Sequence, residues 1–214
     1  DDFGVTNKKN FLTTLYQRKV PAAGTPLRKA VDDIGQYFMN RTITGPWQTK
    51  YNVGPTSDQL SCRQNYNILM TDGYWNGSAA GSGRTGDWDG KNGATHTSSS
   101  GATYRYVAAN PYKDGEGDTL ADIAMYYWVN DLRSDWPQAK KNVPPSRDGT
   151  NPAFWQHLVQ YTVGLGVSGS LDPATDLPAL TAGTKSWPTA ASNQVDDLWK
   201  NIAELENNRF RYLV

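Results

Sequence analysis

Two acidic, glycine-rich stretches contain the residue types that bind calcium. In the first, Asp114, Glu116 and Asp118 alternate with glycines, a spacing that resembles the start of a calcium-binding loop. In the second, Asp87 and Asp89 stand two residues apart, before a glycine. A solvated turn explains both patterns more simply, and Asp118 is placed to cap the helix predicted to follow it. We therefore expect flexible acidic turns rather than sets of metal ligands.

Catalytic side-chain sets of known types are missing from the sequence. His157 follows two aromatic residues and is expected to be a packed structural residue, whereas His96 lies in a Ser/Thr-rich stretch and is expected to be exposed. No nucleophile elbow, zinc-protease motif, P-loop or dinucleotide fingerprint occurs. Glycosidase carboxylates have no fixed spacing, so a secreted carbohydrate-active hydrolase using loop carboxylates stays open as an alternative. Cys62 is the single cysteine and is expected to be a buried thiol or to pair outside these residues.

Composition narrows the function classes. The 214 residues contain 21 basic and 21 acidic side chains, so nothing attracts the chain to the phosphates of a nucleic acid. No apolar run approaches the roughly 20 residues of a membrane span. Eight Trp and twelve Tyr among twenty Gly are typical of a loop-rich extracellular domain, whose aromatic side chains pack inward or form a recognition surface. The chain opens on Asp1, without Met or a signal peptide, and is interpreted as an internal fragment or a processed chain.

Apolar periodicity predicts four helices, over residues 6–18, 25–38, 119–133 and 194–206. Thr6 is expected to cap the first helix, and Thr25, followed by Pro26, is expected to cap the second. The expected apolar face of the first helix comprises Phe11, Leu12, Leu15 and Tyr16. That of the second comprises Leu27, Ala30, Val31, Ile34 and Phe38.

Short apolar runs predict buried strands between these helices. Ile68–Met70 and Val163–Val167 are expected to be adjacent parallel strands, joined through helix 119–133, and residues 210–214 could form a last strand. Polar residues that end such strands, here Asp72, often form sites. Residues 74–118 are predicted to be an insertion; the part 76–117 should lie outside the sheet, because Gly, Ser and Asn bury little apolar area. The alternation predicts a three-layer α/β sheet.

Several stretches, in order along most of the chain, resemble the PilC/PilY family of type IV pilus proteins. The longest run is Cys62-Arg63-Gln64-Asn65-Tyr66-Asn67-Ile68-Leu69-Met70-Thr71-Asp72-Gly73-Tyr74-Trp75-Asn76. The others are Gly24-Thr25-Pro26-Leu27-Arg28, Thr119-Leu120-Ala121-Asp122-Ile123-Ala124-Met125-Tyr126-Tyr127-Trp128, Asn151-Pro152-Ala153-Phe154-Trp155-Gln156-His157, Val163-Gly164-Leu165-Gly166-Val167 and Asp176-Leu177-Pro178-Ala179-Leu180-Thr181-Ala182-Gly183.

The resemblance implies that residues 1–214 are part of a von Willebrand A-type domain, a Rossmann-like three-layer sheet, with the insertion at about 74–118. Domains of this type commonly bind a divalent cation through a DxSxS motif, a Thr and an Asp. By motif match Thr25 and Asp72 are the Thr and the Asp, and Mg²⁺ or Ca²⁺ suits their hard oxygen ligands. The DxSxS motif does not occur in this sequence, and the first strand of the usual sheet is missing from it. The implied site is therefore incomplete in this chain.

The resemblance also implies a function in binding rather than catalysis. It indicates a cell-surface adhesion and assembly module at the tip of a type IV pilus of a Gram-negative bacterium. The implied partners are minor pilins, a host or abiotic surface, and a β-propeller domain C-terminal to these residues. A structural spacer that binds nothing is a third hypothesis beside the hydrolase.

Overall fold

A computed structural model describes residues 4–19, 24–72, 74–77, 80–81, 83–166 and 169–189. The predicted helix 194–206 and strand 210–214 lie outside the described residues. The helices are α1 (Val5–Gln17), α2 (Leu27–Phe38), α3 (Leu120–Val129) and α4 (Pro173–Thr181). The strands are β1 (Tyr66–Thr71), β2 (His96–Thr97), β3 (Thr103–Tyr104) and β4 (Val159–Gly164). Short 3₁₀ turns occur at Thr56–Asp58 and Gln138–Lys140.

Strands β1 and β4 pair in parallel, with Tyr66 opposite Val159 and Thr71 opposite Gly164. This pairing confirms the predicted adjacency of the two apolar runs, although β4 begins at Val159, earlier than predicted, and ends at Gly164. Helix α3 lies between the two strands in sequence and supplies the crossover that a parallel connection requires. The described residues thus form a mixed α/β fold around a two-stranded parallel sheet.

One face of β1 is open, contrary to the prediction of a fully buried strand. Ile68 is 65% and Met70 61% exposed, whereas Leu69, which points to the opposite face, packs against the first core cluster. Successive side chains of a strand alternate between its two faces, so a single covered face buries every second residue. Helix α2 contacts β1, and Leu69 packs against the core cluster to which Leu27 and Val31 of α2 belong.

Helix α2 packs on α3 through a stripe that differs from the predicted one. Its buried residues are Leu27, Val31, Asp32 and Gly35. Ile34, predicted to face the core, is 39% exposed. A Cβ at Gly35 would overlap the ring of Tyr127 on α3. The helices therefore approach each other at this glycine, and the contact turns Ile34 away from the core.

Helix α1 forms almost where predicted, but its apolar face is not buried. Phe11 and Leu15 are each 53% exposed, and no residue of the helix is buried. The predicted cap is also wrong, because the helix begins at Val5 and Gly4 takes the N-cap position instead of Thr6. Within the described residues α1 thus contributes no side chain to the core.

Helix α3 stands at the centre of two core clusters, with nine of its ten residues buried. The first cluster joins it to α2 and the loop after α2, and consists of Leu27, Val31, Trp47, Leu120, Ile123, Tyr127, Leu132, Trp136 and Leu158. The second consists of Tyr106, Ala124, Met125, Trp128, Val129, Ala153, Phe154, Trp155 and Val159. Helix α3 contributes residues to both clusters. It therefore packs against the sheet and against the long loops at the same time.

The insertion lies outside the parallel sheet, as predicted, but contributes to the core. Its strands β2 and β3 form a separate antiparallel hairpin. Tyr106 is buried in the second cluster, and Trp88 and Tyr104 pack against it. The expectation that this segment could bury little apolar area is therefore wrong. Its few aromatic side chains supply the area that glycine and serine lack.

Candidate functional site

The structure places the segment that contains Thr25 beside the loop that follows β1. The Thr25 N–H donates to Asn76 Oδ1 at 2.9 Å, and the Asn76 N–H donates to the Thr25 carbonyl at 2.8 Å. Asp72 follows directly on the last residue of β1 and is exposed. Thr25 does not cap α2, because Pro26 is the N-cap residue and no side chain accepts a bond there. The side chain of Thr25 is therefore not used by the helix.

Arg28 connects three elements at this end of the sheet. Its Nη2 donates to the Gly77 carbonyl at 2.9 Å, and its Nη1 donates to the Asp118 carbonyl at 3.1 Å. The guanidinium also lies 3.9 Å from the centre of the Trp75 ring, where a cation is attracted by the face of the ring. Arg28 therefore holds the start of α2, the loop after β1 and the residue before the α3 cap together.

A second candidate site is a cluster of three carboxylates, from Asp87, Asp89 and Asp122. Carboxylate oxygens of the three residues lie within 4.8 Å of one another. Asp89 and Asp122 are fully buried, so the expected solvated turn is wrong at this place. The oxygens form a donor set suited to a hard cation such as Ca²⁺. Among the described residues, these three form the group of acidic, histidine or cysteine side chains that lies close enough together to hold a metal ion.

Asp122 lies in the first turn of α3, where it forms a capping box with Thr119. Thr119 is the N-cap residue, and its N–H and Oγ1 donate to Asp122 Oδ2 at 3.0 and 2.8 Å. The predicted cap, Asp118, instead accepts a bond from the Gly86 N–H. The Thr-x-x-Asp spacing of a capping box was visible in the sequence and could have identified Asp122.

The environment of Asp122 opposes its charge. The Trp88 N–H donates to Asp122 Oδ1 at 2.7 Å, but burial and the neighbouring Asp89 carboxylate together raise the pKa of Asp122 to about 7. Asp89 accepts a further bond from the Asp114 N–H at 3.0 Å. Two buried carboxylates this close need a shared proton or a cation between them. The acidic stretch at 114–118 thus meets the one at 87–89 in space.

Asp32 ties the insertion to α2. Arg84 donates to it through Nε at 2.5 Å and Nη2 at 3.2 Å, the Gly81 N–H donates at 3.0 Å and the Tyr127 hydroxyl at 2.6 Å. Burial alone would raise the pKa of Asp32, but the hydrogen bonds from Arg84 and Tyr127 outweigh it and lower that pKa. Sequence reasoning missed this residue, because nothing local indicates a partner 52 positions away.

The two histidines are structural, which confirms the expectation for His157 and corrects that for His96. His157 is buried between the Trp155 carbonyl, 2.7 Å from Nδ1, and the Asn151 amide, 2.9 Å from Nε2. Burial lowers the pKa of His157 to about 4. His96 is half-buried and stacks on the Trp155 ring at 4.1 Å. Cys62 is exposed, not a buried thiol.

Two comparisons with known proteins returned no match. No family model matches the chain. No solved structure matches it either. Its helices, where the structure describes them, are all too short or too polar to cross a membrane.

The fold and the site define an α/β module with one parallel strand pair. The segment that contains Thr25 is hydrogen-bonded to the loop that follows the first of these strands. The sequence of the chain is similar to the type IV pilus biogenesis factor PilY1 of Pseudomonas aeruginosa. It is 37% identical to the protein of strain PAO1, 35% to that of strain PAK and 34% to that of strain UCBPP-PA14, in each case over 92% of this chain. The chain spans 18% of the length of these relatives. This similarity supports the resemblance of the chain to the PilC/PilY family, and it covers one region of these relatives.

Proposed function

We propose that this chain is a binding and assembly module of a type IV pilus, which supports pilus biogenesis and surface adhesion. The observation that carries the proposal is the match of 92% of the chain to proteins named type IV pilus biogenesis factor. Those relatives bear the name of an assembly factor and not of an enzyme. A binding function also agrees with the balanced charge and the aromatic-rich loops of the chain.

The fold we propose for the intact domain is of the von Willebrand A type. The parallel pair β1–β4, with α3 as crossover, supports it. In that domain Thr25 and Asp72 would help to hold Mg²⁺ or Ca²⁺ at the carboxyl end of β1. Two features support this role: the Thr25 segment is paired to the loop after β1 through Asn76, and no helix cap uses the Thr25 side chain.

Minor pilins at the pilus tip, a host or abiotic surface, and a propeller domain of the same protein are the partners that this proposal implies. The location it implies is the cell surface. The chain spans only a small part of its relatives, so most of these contacts are expected to involve other parts of the full protein.

The alternative of a carbohydrate-active hydrolase has no observation in its favour. Carboxylate oxygens of Asp89 and Asp122 lie within 4.8 Å of each other, close to the roughly 5 Å that separates the carboxyl groups of a retaining glycosidase. Both are fully buried, so a sugar could not reach them.

The function is tested in the organism that carries the full protein. Deletion of residues 1–214 from the chromosomal copy should reduce the number of surface pili and adhesion to an abiotic surface. Normal piliation and adhesion after the deletion would refute the proposed function.

The cation role is tested separately with Asp72→Asn and Thr25→Ala. Asp33→Asn is the matched control, because Asp33 is an exposed acidic residue of α2 whose ion pair with Lys29 is solvent-screened. The first two variants should lower adhesion and cation-dependent stabilisation of the purified protein, and the control should change neither. If all three behave alike, Thr25 and Asp72 bind no functional cation, and the pilus function stands.

A further inference from the structure

Two asparagines of this chain precede a glycine, at Asn76–Gly77 and Asn92–Gly93. In such a pair the backbone nitrogen of the glycine can attack the side-chain amide carbon of the asparagine, because glycine has no Cβ to hinder the approach. The same sequence motif therefore occurs twice, and the two copies have different structural surroundings.

The attacking nitrogen of the first pair is available. Among the described residues the Gly77 N–H donates no hydrogen bond, and Asn76 is exposed. Gly77 has φ +86° and open surroundings: a Cβ there would have Pro26 Cβ, 3.7 Å away, as its nearest neighbour. Gly77 is exposed, so water and base can reach this peptide group.

The attacking nitrogen of the second pair, that of Gly93, is already hydrogen-bonded. The Gly93 N–H donates to the Tyr106 carbonyl at 3.0 Å. Gly93 also packs so closely against Val129 that a Cβ would overlap this side chain. Attack at Asn92 thus requires the Gly93 N–H to break its hydrogen bond and the backbone to leave its packing against Val129.

The amide oxygens do not distinguish the pairs. Asn76 Oδ1 accepts from the Thr25 N–H at 2.9 Å, and Asn92 Oδ1 accepts from the Ala108 N–H at the same distance. Each donor can stabilise the negative charge that forms on the oxygen during attack. The difference in reactivity therefore comes from the glycine nitrogens.

We propose that Asn76 is a site of spontaneous deamidation in the folded protein and that Asn92 is protected. The Gly77 nitrogen loses its proton to base and forms a bond to Asn76 Cγ; the bond from Cγ to the side-chain nitrogen then breaks, and this nitrogen takes a proton back from the protonated base and leaves as ammonia. Water then opens the resulting five-membered imide at either carbonyl. The products are aspartate, or isoaspartate in which the backbone runs through Cγ.

Both products alter the contact between Thr25 and the loop after β1. Aspartate keeps an oxygen acceptor for the Thr25 N–H and adds a carboxylate four residues after Asp72. Isoaspartate adds a methylene to the backbone between the Asn76 N–H and Gly77 and leaves the former backbone carbonyl as a free carboxylate, so the path of the chain toward the Gly77 carbonyl, which Arg28 bonds, must change. The modification is thus a slow chemical change of charge and geometry at this end of the sheet.

The test is peptide mapping of the folded full chain after incubation at mildly alkaline pH. Trypsin places the two pairs on different peptides, because Arg84 and Lys91 lie between them. Conversion of amide to acid at each asparagine is followed by mass spectrometry, with the same incubation in denaturing urea as reference. Gly77→Ala is the matched variant, and Gly93→Ala is avoided because it would disturb the packing on Val129.

In the folded chain Asn76 is expected to convert several-fold faster than Asn92, and in urea the two rates should become similar. Gly77→Ala should slow conversion at position 76 in both conditions. Equal rates in the folded chain, or faster conversion at Asn92, would overturn the proposal. A rate difference that persists unchanged in urea would also overturn it, because the cause would then be local sequence and not the fold.

Discussion

His157 is expected to make the stability of this protein fall as the pH falls from about 6.5 to about 4. Its Nδ1–H donates to the Trp155 carbonyl, and its Nε2 accepts from the Asn151 amide. Asn151 cannot turn its amide around, because its Oδ1 already accepts from the Trp128 indole at 3.1 Å. A proton on Nε2 would therefore face a donor. This is a structural reason, beside burial, for the neutral ring.

The magnitude follows from the lowered pKa. The pKa of His157 falls from 6.5 to about 4, and each pH unit between these values corresponds to about 1.4 kcal/mol. In this window the unfolded chain binds a proton that the folded chain does not, so acid favours unfolding. The stability present above pH 6.5 is lost progressively, by about 3 kcal/mol in total, and below about pH 4 His157 causes no further change.

The assay is urea unfolding followed by tryptophan fluorescence at several pH values, for the wild type and His157→Gln. At pH 7 the variant should be less stable by about 1–2 kcal/mol, because glutamine cannot make both hydrogen bonds. That deficit should shrink, and then reverse, as the pH approaches 4. The matched control is His96→Gln: burial also lowers the pKa of the half-buried His96, so this variant should lose a smaller part of the wild-type pH dependence than His157→Gln does. A deficit of His157→Gln that stays constant across this window would refute the reasoning.

Three further changes test the site and its supports. Asp32→Asn should lower the free energy of unfolding by about 3–5 kcal/mol, because Arg84 loses its buried partner, and chemical denaturation measures this. Gly35→Ala should cost about 1–3 kcal/mol in the same assay through overlap at the α2–α3 contact. Asp89→Asn should lower the pKa of Asp122, which burial still raises, so that the loss of stability that Asp122 causes as the pH rises from about 4 to about 7 becomes smaller; denaturation of the wild type and the variant at several pH values checks this, and a stability difference that does not change with pH would contradict it. Added Ca²⁺ should raise the thermal midpoint of the wild type but not of Asp89→Asn if the cluster holds the ion, and scanning calorimetry compares the two.

Local patterns in the sequence determined the main elements of this fold. The helical period around Val31 and Ile123 and the short apolar run at Ile68 identified α2, α3 and β1. The reason is that side-chain directions repeat every few residues in a helix or a strand. Burial of one face therefore places apolar residues at regular intervals in the sequence. The long motif runs likewise indicated the family, because they are contiguous stretches.

Only the tertiary structure decided which polar residues meet. Asp32 and Arg84 are separated by 52 positions, and Trp88 and Asp122 by 34. Their contacts depend on the path of the insertion, which is fixed by a few aromatic side chains packed against α3. An acidic turn in solvent and a buried carboxylate cluster have the same residue types, so composition cannot distinguish them. The difference lies in long-range packing, which leaves no period in the sequence.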